Sequence, residues 1–177
     1  MERYYAEPLD IWSTGCVLFE MLYSQSAYAP YNEDKQRILF KGDSCYPLSP
    51  APKEVAHSKS KDVSSKDMLK MILGTMGDQG SSSLSFITER SNKEYTRSMM
   101  SKVPKLKFKK ELDANSSELI HVLESMLEFN PYFRPSANSL IKNSLFDSVR
   151  DLDWETLAEE KIHLDIDQEG QYDYTQQ

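Results

Sequence analysis

The chain has 177 residues, is 39% hydrophobic and carries a formal net charge of −7, which fits one domain with its own core rather than two. The acidic balance argues against a nucleic-acid binder, since gripping a phosphate backbone takes a basic face. Two cysteines, Cys16 and Cys45, imply neither a disulfide framework nor a zinc site, so a reduced intracellular compartment, cytoplasm or nucleus, is expected.

Met1-Glu2-Arg3 leads into Tyr and Pro rather than a charged-then-apolar leader, so no signal peptide is expected. Residues 9–23 read as a helix, with Asp10 as N-cap or first-turn acid. Apolar residues fall on nearly every side of it, which marks a helix buried in a domain, and stretch 9–22 is too short and interrupted to span a bilayer. Gly15 is costly inside a helix unless another element approaches closely. Residues 24–60, rich in proline and serine, read as an extended loop-rich segment.

A helix is predicted over 61–76, with Met68, Leu69, Met71, Ile72 and Leu73 at helical spacing and Ser64 or Ser65 as cap. Gly74, Gly77 and Gly80 break it. Two short helices are expected over 84–90 and 94–100, then an irregular basic stretch, 104–112. Lys102, Lys105, Lys107, Lys109 and Lys110 read as a solvated loop. A strong helix follows over 116–129, with Leu119, Ile120, Val122, Leu123, Met126 and Leu127 on one face. Pro131 and Pro135 enclose a turn, and Ser136 caps a short helix ending near Asn143. One more helix is expected over 151–161, and residues 168–177 are polar enough to be disordered. His57, His121 and His163 are scattered, so no metal site is expected. Strand signals are almost absent, and the fold class is mainly α.

Two motifs give this pattern a meaning. Asp10-Ile11-Trp12-Ser13-Thr14-Gly15 heads the first helix, and Asn130-Pro131-Tyr132-Phe133-Arg134-Pro135 lies far downstream. In this order they resemble the C-terminal half of a eukaryotic serine/threonine protein kinase domain. The resemblance implies a partial, helical C-terminal lobe over residues 1–150 without the N-terminal β lobe, and a C-terminal extension over 151–177. It makes Asp10 an anchor for the catalytic-loop backbone, and Trp12 and Gly15 packing residues beneath that loop. Capping is the plainer role for Asp10 in this chain. Arg134 is similar to the arginine that pairs with the glutamate of the family's Ala-Pro-Glu motif. Arg3-Tyr4-Tyr5-Ala6-Glu7-Pro8 is a reordered version of that motif, which makes Glu7 its candidate partner.

Ile72-Leu73-Gly74-Thr75-Met76-Gly77 and Ser83-Leu84-Ser85-Phe86-Ile87 resemble the mitogen-activated protein kinase group, whose insert would fall at about 74–112. In that group acids just past the lobe dock basic peptides, a role the resemblance offers to Asp151, Asp153 and Glu155. An ordinary acidic helix start is the alternative. The tyrosines Tyr4, Tyr5, Tyr28 and Tyr31 would line a substrate-facing loop, or pack half-buried with a wet hydroxyl.

Phosphoryl transfer needs a Gly-rich loop, a lysine–glutamate pair, a catalytic aspartate with its asparagine and a magnesium-binding aspartate. None of Gly-x-Gly-x-x-Gly, His-Arg-Asp, Asp-Phe-Gly or Thr-x-Tyr occurs here. ATP and magnesium are therefore implied for the complete parent kinase, while no catalytic, cofactor-binding or metal residue is assigned in this chain. Expected partners are protein substrates and upstream kinases of a signalling cascade, with no nucleic acid and no membrane. The other reading is a non-catalytic docking module for kinase partners or substrates. The first helix, without its usual cover, is expected to show an apolar patch.

Overall fold

A computed structural model of the chain describes residues 7–25, 38–45, 67–77, 80, 82–100, 106–153 and 155. Six α-helices lie among them, with no strand beyond an isolated parallel bridge between Ser44 and Asp67. Helix α1 spans Glu7–Tyr23. Pro8 fits its first turn because no intrahelical N–H is needed there, and Glu7 and Asp10 suit the positive end of the dipole. Ser13 and Thr14 bond back to the carbonyls of Leu9 and Asp10 at 3.1 and 2.8 Å, which satisfies hydroxyls placed mid-helix.

The buried residues of α1 are Ile11, Gly15, Phe19, Leu22 and Tyr23, a single face at helical spacing. The helix is apolar on most sides but covered on one, and the uncovered side carries the apolar patch expected from the sequence. Leu9, Val17 and Met21 stand 47%, 57% and 65% exposed, because the described chain packs against one side of α1 only. That side meets α5, Ser117–Met126, whose Ile120, Val122, Leu123 and Met126 are buried. Phe19, Leu22, Leu123 and Leu127 share the main core with Phe108 and Leu112. Each such side chain contributes on the order of 1.5–3 kcal/mol by leaving water.

Helix α2 is Met68–Met76. Its cap is Asp67, whose side chain accepts the Leu69 N–H at 3.1 Å; Ser64 and Ser65 lie outside the described residues. Asp67 is fully buried, and Met68 donates its N–H to the Ser44 carbonyl at 2.7 Å, which ties segment 38–45 to α2. Gly77 closes α2 with φ 70°, a left-handed conformation that suits glycine, and its N–H returns to the Leu73 carbonyl.

The first of the two helices expected over 84–100 is absent. A 3-10 turn, Ser82–Leu84, stands there, followed by one helix, α3, at Arg90–Met99. Long-range contacts override local propensity: Leu84 is fully buried, and Phe86 meets Phe129 edge-on at 5.9 Å. The stretch expected to be irregular contains one helical turn, α4, Phe108–Glu111, because Phe108 is fully buried against Phe19 at 5.8 Å.

Ser116 caps α5 by accepting the Leu119 N–H, a role the sequence reading did not assign, and Ser136 caps α6, Ala137–Ile141, by accepting that of Ser139, as the sequence leads one to expect. A 3-10 turn, Pro131–Phe133, joins these helices, and another, Ser144–Phe146, follows α6. Residues 151–153 and 155 are not helical, and the rest of the helix expected over 151–161 lies outside the described residues. So do Tyr4, Tyr5, Tyr28, Tyr31 and the chain end.

Candidate functional site

The two motif segments meet at Arg134, which leaves the Pro131–Phe133 turn and reaches back to the start of α1. Its Nη1 donates to the Pro8 carbonyl at 2.7 Å, its Nε to the Glu128 carbonyl at 2.7 Å and its Nη2 to the Phe129 carbonyl at 3.2 Å. The guanidinium carbon lies 4.6 Å from the centre of the Trp12 ring. A planar fork with fixed donors suits three carbonyls, two of them just past the end of α5 where no helix ladder satisfies them. Burial holds Arg134 below the usual arginine range; the charges of Glu128 and Cys16 act in the opposite direction.

The partner expected from the sequence is not the one observed. Glu7 forms no ion pair with Arg134. Its Oε1 accepts the Ala137 N–H at 3.0 Å, so it caps α6 instead. Both residues still join the base of α1 to the turn after α5, through two neighbouring hydrogen bonds rather than one salt bridge. Trp12 lies beneath Arg134 and stacks on Phe40 at 5.4 Å with the planes 10° apart. Asp10 is exposed in the first turn of α1, and its carboxylate meets no donor among the described residues.

Gly15 sits where α1 crosses the end of α5. A Cβ added there would lie 3.1 Å from Met126 Cβ and from Leu127 Cδ2, so the side chain is excluded by packing. Cys16 is half-buried on the next position. Burial, with help from Glu20, pushes its thiol up to about 11 despite the nearby Arg134 charge, which leaves it an inert packing group.

Asn130 was part of the downstream motif, but its role was not foreseen. It is fully buried, and its Nδ2 donates to the Ser82 carbonyl at 3.4 Å and to Ser85 Oγ at 3.0 Å. Its Oδ1 accepts the Tyr132 N–H at 3.0 Å. One amide thus fastens the turn at 82–85 to the segment bearing Arg134. The Asn-Pro pair, a common turn start, was the available signal.

The acids Asp151, Asp153 and Glu155 separate into two kinds. Glu155 is engaged: Arg150 Nε reaches its two oxygens at 2.9 and 3.1 Å, and Nη2 reaches Oε2 at 2.6 Å. That fork holds the Glu155 carboxyl below the usual carboxylate range. Asp151 accepts the Asp153 N–H at 3.1 Å, and both residues are exposed. Val149 and Leu152 beside them are 76% and 70% exposed. The surface open to a partner is therefore Asp151, Asp153 and two apolar side chains, without Glu155.

Among the described residues no His, Cys, Asp and Glu gather as a metal site, and no helix is long and apolar enough to cross a membrane. The sequence model of the family described as "Protein kinase domain" matches residues 1–146. Mitogen-activated protein kinase 13 of Bos taurus is 26% identical over 166 residues, which cover 94% of this chain and 36% of that protein. Mitogen-activated protein kinase spk1 of Schizosaccharomyces pombe is 28% identical over 156 residues, covering 88% and 33%. Mitogen-activated protein kinase 17 of Oryza sativa is 26% identical, covering 92% and 22%. The chain thus spans between about a fifth and just over a third of the length of these curated relatives.

Proposed function

This chain belongs to the protein kinase domain family, and from that premise we propose that it forms part of the helical C-terminal lobe of a mitogen-activated-like serine/threonine kinase. The parent activity is transfer of the ATP γ-phosphate to protein serine or threonine hydroxyls. On this reading residues 1–150 are the lobe portion, with the insert at about 74–112, and 151–177 are an extension. The chain supplies scaffold and substrate-side surface. The observation that supports this role is the Arg134 clasp, which joins the two family motifs around Trp12. Asp10, Trp12, Gly15, Glu7 and Arg134 are its structural residues, with Glu7 acting on α6.

ATP and magnesium belong to the complete parent domain. The sequence has none of the motifs that hold them, so the residues present do not fit either group and no phosphoryl-transfer step runs through them. The chain is inactive alone. The test is titration with a fluorescent ATP analogue and magnesium, together with phosphate transfer to a generic serine/threonine substrate. No saturable binding below about 1 mM and no transfer are expected; binding tighter than about 10 µM, or transfer, overturns the reading.

A second reading, a docking module for upstream kinases or substrates, is favoured by the exposed Asp151 and Asp153 beside Val149 and Leu152. A labelled peptide with a lysine–arginine pair and two leucines should bind about tenfold more weakly after Asp151→Asn with Asp153→Asn, roughly 1.4 kcal/mol. Equal binding removes this reading.

A further inference from the structure

Burying an aromatic ring is among the larger single contributions to a fold, yet the turn between α5 and α6 leaves two in water. Tyr132 and Phe133 are 80% and 55% exposed. Among the described residues neither ring meets another ring, and Tyr132 Oη makes no hydrogen bond.

The backbone beneath the two rings is fixed. Tyr132 donates its N–H to Asn130 Oδ1 at 3.0 Å, Phe133 to the Asn130 carbonyl at 3.0 Å and Arg134 to the Pro131 carbonyl at 3.3 Å. Asn130 is itself fully buried and held to Ser82 and Ser85, and Arg134 is clasped to the Pro8 carbonyl. Rings carried on such a turn lose little freedom when they are covered, which suits the anchors of a protein interface.

The surface extends onto α1 and has an acidic rim. The turn packs against that helix, and Leu9, next to the clasped Pro8, is 47% exposed. Residues 7–25 and 113–141, which hold α1, α5, the turn and α6, carry seven Asp or Glu and a single Lys or Arg, Arg134. Arg134 is half-buried and its donors are engaged by three carbonyls. Lys142, just past α6, has its charge acting on Glu155. Asp10 lies in the first turn of α1, and Glu128 is the residue whose carbonyl Arg134 Nε reaches; neither carboxylate accepts a hydrogen bond among the described residues. Charge selects the occupant of this apolar surface. Two copies meeting here would bring like charges together at a cost, whereas a basic partner is drawn in and held.

We propose that Leu9, Tyr132 and Phe133 form a docking surface for a protein segment that presents arginine or lysine beside aliphatic side chains. The aliphatic groups cover the rings, and the cation lies over a ring face or beside Asp10 and Glu128. The surface does not use Asp151 or Asp153, and the inference rests on the turn and its charges rather than on the kinase reading.

Fluorescence anisotropy of a labelled peptide of alternating leucine and arginine tests it. The titration uses the full chain with Asp151→Asn and Asp153→Asn, a background that removes the acids of the docking-module reading. Adding Tyr132→Ser with Phe133→Ser should weaken binding about tenfold with the helical circular dichroism unchanged. Adding Asp10→Asn with Glu128→Gln instead should weaken it about threefold at about 0.05 M NaCl and leave it unchanged at about 0.5 M, where exposed charges are screened. Independently, saturating peptide should slow nitration of Tyr132 about threefold, read by mass spectrometry. No binding in this background, binding that survives the loss of both rings, equal binding of a peptide with glutamate in place of arginine, or unchanged nitration overturns the proposal. So does a dimer in sedimentation equilibrium that Tyr132→Ser with Phe133→Ser returns to monomer, because the occupant is then a second copy.

Discussion

Among the described residues two glycines, Gly15 and Gly74, lie inside helices, and replacing each by alanine should change stability in opposite directions. Both exchanges gain about 1 kcal/mol of intrinsic helix preference, because alanine loses less backbone freedom on folding. At Gly74 in α2 a new Cβ meets nothing within 4 Å, so most of that gain should survive, about 0.5–1 kcal/mol. At Gly15 the new Cβ falls 3.1 Å from Met126 Cβ, 3.1 Å from Leu127 Cδ2 and 3.3 Å from Leu127 Cγ. Ordinary carbon contacts lie near 3.5–4.0 Å, so α1 and the end of α5 must separate by roughly 0.5 Å. Met126 Cβ is fixed to its backbone and cannot swing aside. Such overpacking costs about 1–3 kcal/mol, which outweighs the helix preference and leaves Gly15→Ala less stable by about 1 kcal/mol. The two variants should therefore differ by about 2 kcal/mol. Urea unfolding of the full chain, followed by helical circular dichroism, reads this as opposite shifts of the midpoint at constant m-value. A Gly15→Ala protein as stable as Gly74→Ala would refute the close approach of α1 and α5.

Arg134→Lys keeps the charge but loses the fork, and should cost about 2 kcal/mol, with Arg134→Ala costing about 3–4 kcal/mol; equal stability of Arg134→Lys and the parent in urea would refute the three-carbonyl clasp. Asn130→Ala should cost about 2–3 kcal/mol, and Asn130→Asp more, since a buried carboxylate would face the Ser82 carbonyl; the same unfolding assay checks the order. Cys16, held up to about 11 by burial, should react with a thiol reagent near neutral pH about 100-fold more slowly than an unperturbed thiol, measured in a Cys45→Ser background. Because that pKa is raised, the stability linked to the protonated thiol is complete below about 9 and is lost as pH rises towards about 11. Glu155, with its pKa lowered by Arg150, should stay ionised below the usual glutamate titration, and the stability linked to the fork should be lost only as pH falls through that depressed value; carboxyl NMR of the Arg150→Gln protein should show Glu155 returning to the ordinary range.

Much of the helical framework was legible in the residues. Ser136 announces a cap because a short hydroxyl side chain can accept the free N–H groups of a first turn, and it does so. Gly15 announces a close approach because nothing else justifies its cost in an apolar helix, and α5 lies against it. These are local rules, satisfied within a few residues of the signal. Segment 84–90 reads as helix by composition, yet Ser85 and Phe86 are held by groups more than forty residues away, and a tertiary anchor outweighs a weak propensity.

The sequence by itself therefore determined the family, the mainly helical class and the positions of the motif residues. Which partner each of them takes was decided by the tertiary structure. Glu7 and Arg134 have complementary charges, and the sequence offers Glu7 as a candidate partner without deciding the pairing. In the folded chain Arg134 takes the Pro8, Glu128 and Phe129 carbonyls while Glu7 turns to the Ala137 N–H. Asp151, Asp153 and Glu155 read as one acidic group, yet the fork from Arg150 removes Glu155 from it. Charge type is written in the residue. The choice among several carbonyls and carboxylates within reach depends on where α1, α5 and α6 come to rest, and that is set by packing between segments distant in the chain.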